Sequence, residues 1–131
     1  MTDSQLCKAA QEAMKNSYAP YSDFCVGAAV LCNDGSVYTG CNIENSSFSA
    51  TVCAERTAIF KAVSDGKRHF EKIAISGGKN GKISGACPPC GICRQVLSEF
   101  CPPDFQILLV TPDAYEKYTL SELLPKAFNI E

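Results

Sequence analysis

The chain of 131 residues has no surplus of either charge, with 12 Lys+Arg against 14 Asp+Glu and a formal net charge of -2. Such a balance gives no electrostatic hold on phosphate backbones or anionic lipid surfaces, so neither a nucleic-acid polymer nor a membrane is an expected partner. No apolar run approaches the ~20 residues that a bilayer-crossing helix needs. The opening MTDSQLCKAA has neither a basic stretch nor an apolar segment behind it, so a soluble, cytoplasmic protein is expected. Internal repeats, linkers and low-complexity segments are missing too, and the length suits one packed domain over residues 1–131.

What the sequence does have is cysteine, nine of them. An odd number without a secretion signal argues against a disulfide framework, which leaves metal binding as the leading explanation.

Hydrophobic spacing places these cysteines on elements. Leu6, Ala9, Ala10, Ala13 and Met14 recur at helical spacing behind Ser4, a candidate N-cap. FCVGAAVLCNDGSVYTGCNI reads as two apolar, β-branched runs joined by the turn Asn33-Asp34-Gly35-Ser36, an antiparallel hairpin. Ala54, Ala58, Ile59, Ala62 and Val63 form the stripe of a second helix that Cys53 opens and that stops near Gly66. FEKIAISGG is a predicted strand, and GICRQVLSEFC a third helix with Cys90 and Cys93 at its first turn. FQILLVTP is a strand apolar enough to be buried on both faces, and LSELLPKAF a short terminal helix broken at Pro125. The order αββαβαβα predicts an α/β layered fold.

Cys90 and Cys93 lie three apart on a helical first turn, so their thiols share a face and can reach one ion. Cys53 also stands at a helix start, where unpaired N–H groups and the helix dipole favour a thiolate. Three such thiolates suit a soft tetrahedral ion, which points to zinc. Cys87 would complete a closed, purely structural site of four cysteines. Glu55 argues instead for an open fourth position, because a closed site has no use for a carboxylate beside its first ligand. Three thiolates leave the zinc cluster with a net negative charge; Arg56 and Arg94 are both placed to offset it.

TVCAERTA followed by PPCGICRQV resembles the paired signatures of the zinc-dependent cytidine deaminases, in their three-cysteine form. The resemblance extends to YSDFCVGAAV, GCNIEN and LLPKAF, from near residue 20 to residue 128. It implies a three-layer α/β/α sandwich around a mixed sheet, with one Zn²⁺ per subunit on Cys53, Cys90 and Cys93. The implied reaction is hydrolytic deamination of cytidine and deoxycytidine in pyrimidine salvage, by a zinc-activated water with Glu55 as proton shuttle. Arg56 is favoured as the compensating cation. Asn42 and Glu44 would read the ribose hydroxyl, Phe24 would face the base, and the backbone of Ala54 would hydrogen-bond it. Phe128 would reach a base in a neighbouring subunit, so that a homotetramer completes its own sites.

Three departures from the family pattern stand out: Phe48 where many members carry tyrosine, the spare thiol Cys87, and AFNIE without the glycine often found after the terminal Phe. Competing readings are a deaminase for a cytosine-containing antibiotic such as blasticidin S, against which Asn42 and Glu44 argue, and a non-catalytic zinc-stabilised binding module, against which Glu55 argues. A polynucleotide-editing enzyme is disfavoured by charge. GGKNGKIS lacks the glycine spacing of a phosphate loop and is expected to be a surface loop. The single histidine, His69, is expected at the surface or a strand edge, and Cys7, Cys25, Cys32, Cys41 and Cys101 as reduced packing residues.

Overall fold

The computed structural model describes residues 1–130. Helix α1 (Asp3–Ala13) is capped by Thr2 and not by Ser4. Thr2 Oγ1 accepts the Gln5 N–H at 3.1 Å, and Gln5 Oε1 accepts the Thr2 N–H at 2.9 Å. That reciprocal box satisfies two orphan donors at once, which Ser4, with no Glu or Gln three residues on, has no means to do.

Strands β1 (Phe24–Cys32) and β2 (Val37–Cys41) form the expected hairpin, its turn closed through Gly35 at φ 90°. Helix α2 (Ala54–Ser64), β3 (Phe70–Lys79), α3 (Gly91–Phe100) and β4 (Gln106–Val110) follow as predicted. A further strand, β5 (Tyr115–Thr119), lies between β4 and the short α4 (Leu120–Leu123) and was not anticipated. Its YEKYT shows no apolar alternation, with Glu116 and Lys117 adjacent and exposed and no residue fully buried, as suits a short charged edge strand. The sheet order is β2-β1-β3-β4-β5. Among the five described strands only β3 and β4 pair in parallel, and α3 is the crossover that joins them.

Helices cover both faces of the sheet, giving the three-layer α/β/α arrangement. On one face α1 packs Leu6 and Ala10 against Ala29, Leu31, Ala74, Leu108 and Val110. On the other, Ala58, Ile59 and Ala62 of α2 and Leu97 of α3 meet Val30, Ile73, Ile75, Ile107 and Leu109. The unbroken QILLV run of β4 is thus explained, because successive residues enter opposite cores. Each fully buried Leu or Ile contributes roughly 1.5–3 kcal/mol. Among the described residues no helix is long and apolar enough to cross a membrane.

Candidate active site

The sheet's second face brings two helix N-termini together. Cys53 is the N-cap of α2 and Cys90 the N-cap of α3, with Cys93 three residues further on. Their Sγ atoms all lie within 4.8 Å of one another, at 3.7 Å for Cys53–Cys90 and 3.5 Å for Cys90–Cys93. Zn–S bonds of ~2.3 Å at tetrahedral angles set S···S near ~3.8 Å, so the three thiols fit one zinc ion. Cys87 lies outside this cluster, so the fourth thiol of a closed site is not in place. Cys90 is exposed and gives the cluster a path to solvent.

Charges around the thiols are sharply divided. Cys53 is held down to about 5, first by a hydrogen bond from the Cys93 thiol and then by Arg56, whose Nη2 donates to Cys53 Sγ at 3.3 Å. Cys93 is correspondingly pushed up, by sharing that bond, by burial and by the negative charges of Glu55 and Cys53. Arg94 is committed elsewhere: it donates to the carbonyls of Pro89 and Leu123, both at 2.8 Å, so of the two candidate cations only Arg56 meets a thiol. Glu55, in the first turn of α2, is only 4% exposed. Burial pushes its carboxyl up to about 7, and the Cys53 charge adds to the effect. Its Oε1 is buried without a hydrogen-bond partner among the described residues. A carboxyl that titrates near neutrality beside a metal cradle is suited to accept a proton and give it back.

Around this centre the remaining predicted residues fall into three groups. Ala54 is the first residue of α2, so its N–H has no partner within the helix. Phe24 is 40% exposed, and its ring edge lies over Gly77, beside the Cys87 side chain. Asn42 is buried and heavily engaged: Oδ1 accepts from Ser17 Oγ and from Val26 N–H at 2.9 Å, while Nδ2 donates to the Phe24 carbonyl at 2.8 Å. One N–H of its amide is left for a ligand. Glu44 accepts from the N–H groups of Tyr21 and Ser22, at 3.0 and 3.1 Å, and from Ser22 Oγ at 2.5 Å. These bonds hold its carboxyl below the ordinary range. Glu44 lines a cavity of about 350 Å³ together with Tyr21, Ser22, Asn45, Phe48 and Thr51. Phe128 is 69% exposed, and its carbonyl accepts from Gln95 Nε2 at 3.1 Å.

The family model for the cytidine and deoxycytidylate deaminase zinc-binding region matches residues 1–109. The chain belongs to the cytidine deaminase family, whose members are zinc-dependent hydrolytic deaminases. It is 48% identical to a cytidine deaminase of Sporosarcina psychrophila over 128 residues, 97% of this chain and 91% of that one. A second cytidine deaminase, from Halalkalibacterium halodurans, is 47% identical over 132 aligned positions, 100% of this chain and 97% of the other. The crystal structure of the cytidine deaminase from Burkholderia pseudomallei superposes with a TM-score of 0.91 at 43% identity, covering 98% of this chain and 100% of that one.

Against the family pattern, the two internal departures have definite surroundings. Phe48 is 79% exposed and packs edge-on against Tyr21, with ring centroids 6.4 Å apart. Cys87 is half-buried, and burial pushes its thiol up to about 11, with the Glu55 and Cys53 charges adding. Three residues that fix the side chains of Asn42 and Glu44 escaped sequence reasoning: Ser17, Tyr21 and Ser22. They act through loop hydrogen bonds that no hydrophobic period marks.

Proposed function

We propose that this chain hydrolyses cytidine and deoxycytidine to uridine and deoxyuridine with release of ammonia, and that residues 1–131 form one catalytic domain. The observation that carries the reading is the buried Glu55 carboxyl, held near neutrality with an unpartnered oxygen beside three thiols spaced for zinc. Cys53, Cys90 and Cys93 would hold the ion, and bound zinc supplies the Lewis acidity that brings the pKa of a water toward neutrality. Glu55 would take one proton from the attacking water and pass it to ring N3, then take the second from the new C4 hydroxyl and deliver it to the amine as it departs. A C4–N bond is exchanged for a C4–O bond, water is consumed, and Glu55 ends as it began.

The other residues orient the nucleoside. Phe24 faces the pyrimidine ring, the free N–H of Ala54 holds the base edge, and Asn42 and Glu44 read the sugar hydroxyl. Glu44 is well prepared for this, since three donors from Tyr21 and Ser22 fix its carboxylate before substrate arrives. Arg56 neutralises thiolate charge. Exposure of Phe128 supports its use across a subunit contact, within a homotetramer whose sites are completed by neighbours. Pyrimidine salvage in the cytoplasm is the setting this chemistry suits. The balanced charge favours a free nucleoside over a polynucleotide.

The decisive experiment follows cytidine absorbance and ammonia release by purified wild-type protein and by Glu55→Gln. The wild type should deaminate cytidine, and the variant should retain zinc while losing turnover. Ammonia release from no cytosine nucleoside would overturn the proposal.

A further inference from the structure

The two helix N-termini that build the site are not seated alike. The first turn of α2 lies directly on β2 at Gly40, so closely that a β-carbon there would fall 2.5 Å from the Ala58 nitrogen, 2.7 Å from the Ala54 oxygen and 2.9 Å from Thr57 Cβ. Ordinary carbon contacts need ~3.5–4.0 Å. Two of those three atoms are helix backbone, and they are donor and acceptor at i+4 and i, so the turn has no local way to yield. Any side chain at this position must drive the first turn of α2 and strand β2 apart. Cys90 and Cys93 ride on α3, which has no atom among those nearest contacts.

The geometry points to Gly40 as a positioning residue: its missing side chain sets the separation of Cys53 and Glu55 on α2 from Cys90 and Cys93 on α3. A methyl group at Gly40 moves one half of the site against the other, changing both the thiol spacing and the reach of Glu55. This inference rests on the proposed deaminase reading for its catalytic consequence, and on the thiol geometry alone for its metal consequence. Displacement of a catalytic group by ~1 Å costs roughly 10²-fold in rate.

A matched control exists one rung away. Gly27 in β1 pairs with Cys41, while Gly40 pairs with Ala28, so the two glycines point to opposite faces. A β-carbon at Gly27 would meet the Ala10 oxygen at 2.1 Å and the Met14 nitrogen at 2.6 Å, a worse clash, but against α1, across the sheet from the thiols. Gly40→Ala and Gly27→Ala are therefore compared for melting temperature, for kcat and KM per zinc-loaded molecule, and for the rate at which a chelator removes zinc. Gly40→Ala should lower kcat roughly 10- to 100-fold with a smaller change in KM, and should release zinc faster. Gly27→Ala should lose at least as much thermal stability while keeping wild-type kcat and zinc release. If Gly40→Ala does not accumulate folded, Ala58→Val presses the same turn from the helix side and should show the same pattern more weakly. Equal kcat and equal zinc release in the two glycine variants, or in Ala58→Val and wild type, would overturn the inference. An inactive wild type would overturn the deaminase reading instead, and the difference in zinc release between the variants would still decide the role of Gly40.

Discussion

The starts of α1 and α2 are built from similar parts and do opposite things. Each helix has 11 residues, an extended N-cap and one acid in its first turn. At α1, Thr2 caps the backbone, and Asp3 is held below its ordinary range by Lys72 and Lys117, whose Nζ atoms donate at 2.6 and 2.9 Å. At α2, the Cys53 thiol makes no cap hydrogen bond, and Glu55 is pushed up to about 7 with an unpartnered oxygen. One helix start is finished; the other is left with unmet demands that a metal, a water and a nucleoside can satisfy. The lesson is that environment, and not residue type, separates a carboxylate settled in an ion pair from a carboxyl left free to exchange a proton.

The comparison breaks most severely if the acids exchange importance. Glu55→Gln keeps shape and removes the proton carrier, so kcat should fall by roughly 10²–10⁴-fold while zinc content, read by metal analysis, is unchanged. Retained turnover would mean that Glu55 is only a buried acid. Arg56→Ala comes next. Its guanidinium is the cation on Cys53 Sγ, and its loss should weaken zinc retention or slow turnover by roughly 10- to 100-fold, in the range of partners that support metal ligands. Chelator competition and steady-state rates on one preparation check this, and wild-type values in both would remove Arg56 from the site.

Asp3 should show a smaller effect of a different kind. Its carboxyl and Lys72 are mostly covered, at 16% and 15% side-chain exposure, whereas Lys117 is 46% exposed, so Asp3→Asn should cost roughly 1–2 kcal/mol with no change in kcat. Because the folded pKa is lowered, the stabilisation is present above the unfolded carboxylate range and is lost as pH falls through the folded value. The melting difference between wild type and variant should therefore be full at neutral pH and fade on acidification. A difference that stays constant with pH would mean that packing, not charge, is what Asp3 supplies.

Most of the fold was legible because periodicity reports burial. The stripe Ala54, Ala58, Ile59, Ala62 and the uninterrupted QILLV run each named their environment in advance. The strand YEKYT escapes that signal because an exposed edge carries little apolar pattern, and the cap falls on Thr2 instead of Ser4 because the capping box pairs Thr2 with Gln5. The metal cradle was legible from Cys53, Cys90 and Cys93 because a ligand set needs only type and spacing. Three positions lay beyond that logic. Asn42 and Glu44 depend on Ser17, Tyr21 and Ser22 across loops, and Gly40 acts through an absent side chain.

The smallest expected effect tests whether α2 forgoes stability at its start. Aspartate is among the best N-cap residues, and at position 53 it would supply the missing acceptor while keeping a negative partner for Arg56. In protein stripped of metal, Cys53→Asp should therefore be more stable than wild type by about 1 kcal/mol, seen as a higher melting temperature. Cys90→Asp is the internal standard, because Cys90 Sγ already accepts the Cys93 N–H at 3.5 Å and less remains to be gained there. A metal-free Cys53→Asp no more stable than wild type would show that the α2 start is already satisfied. The contrast with α1 would then reside in the two carboxyls and not in the caps. The expected gain, beside loss of zinc-supported turnover, would show that the thiol is kept at position 53 for its chemistry and against the local preference of the helix.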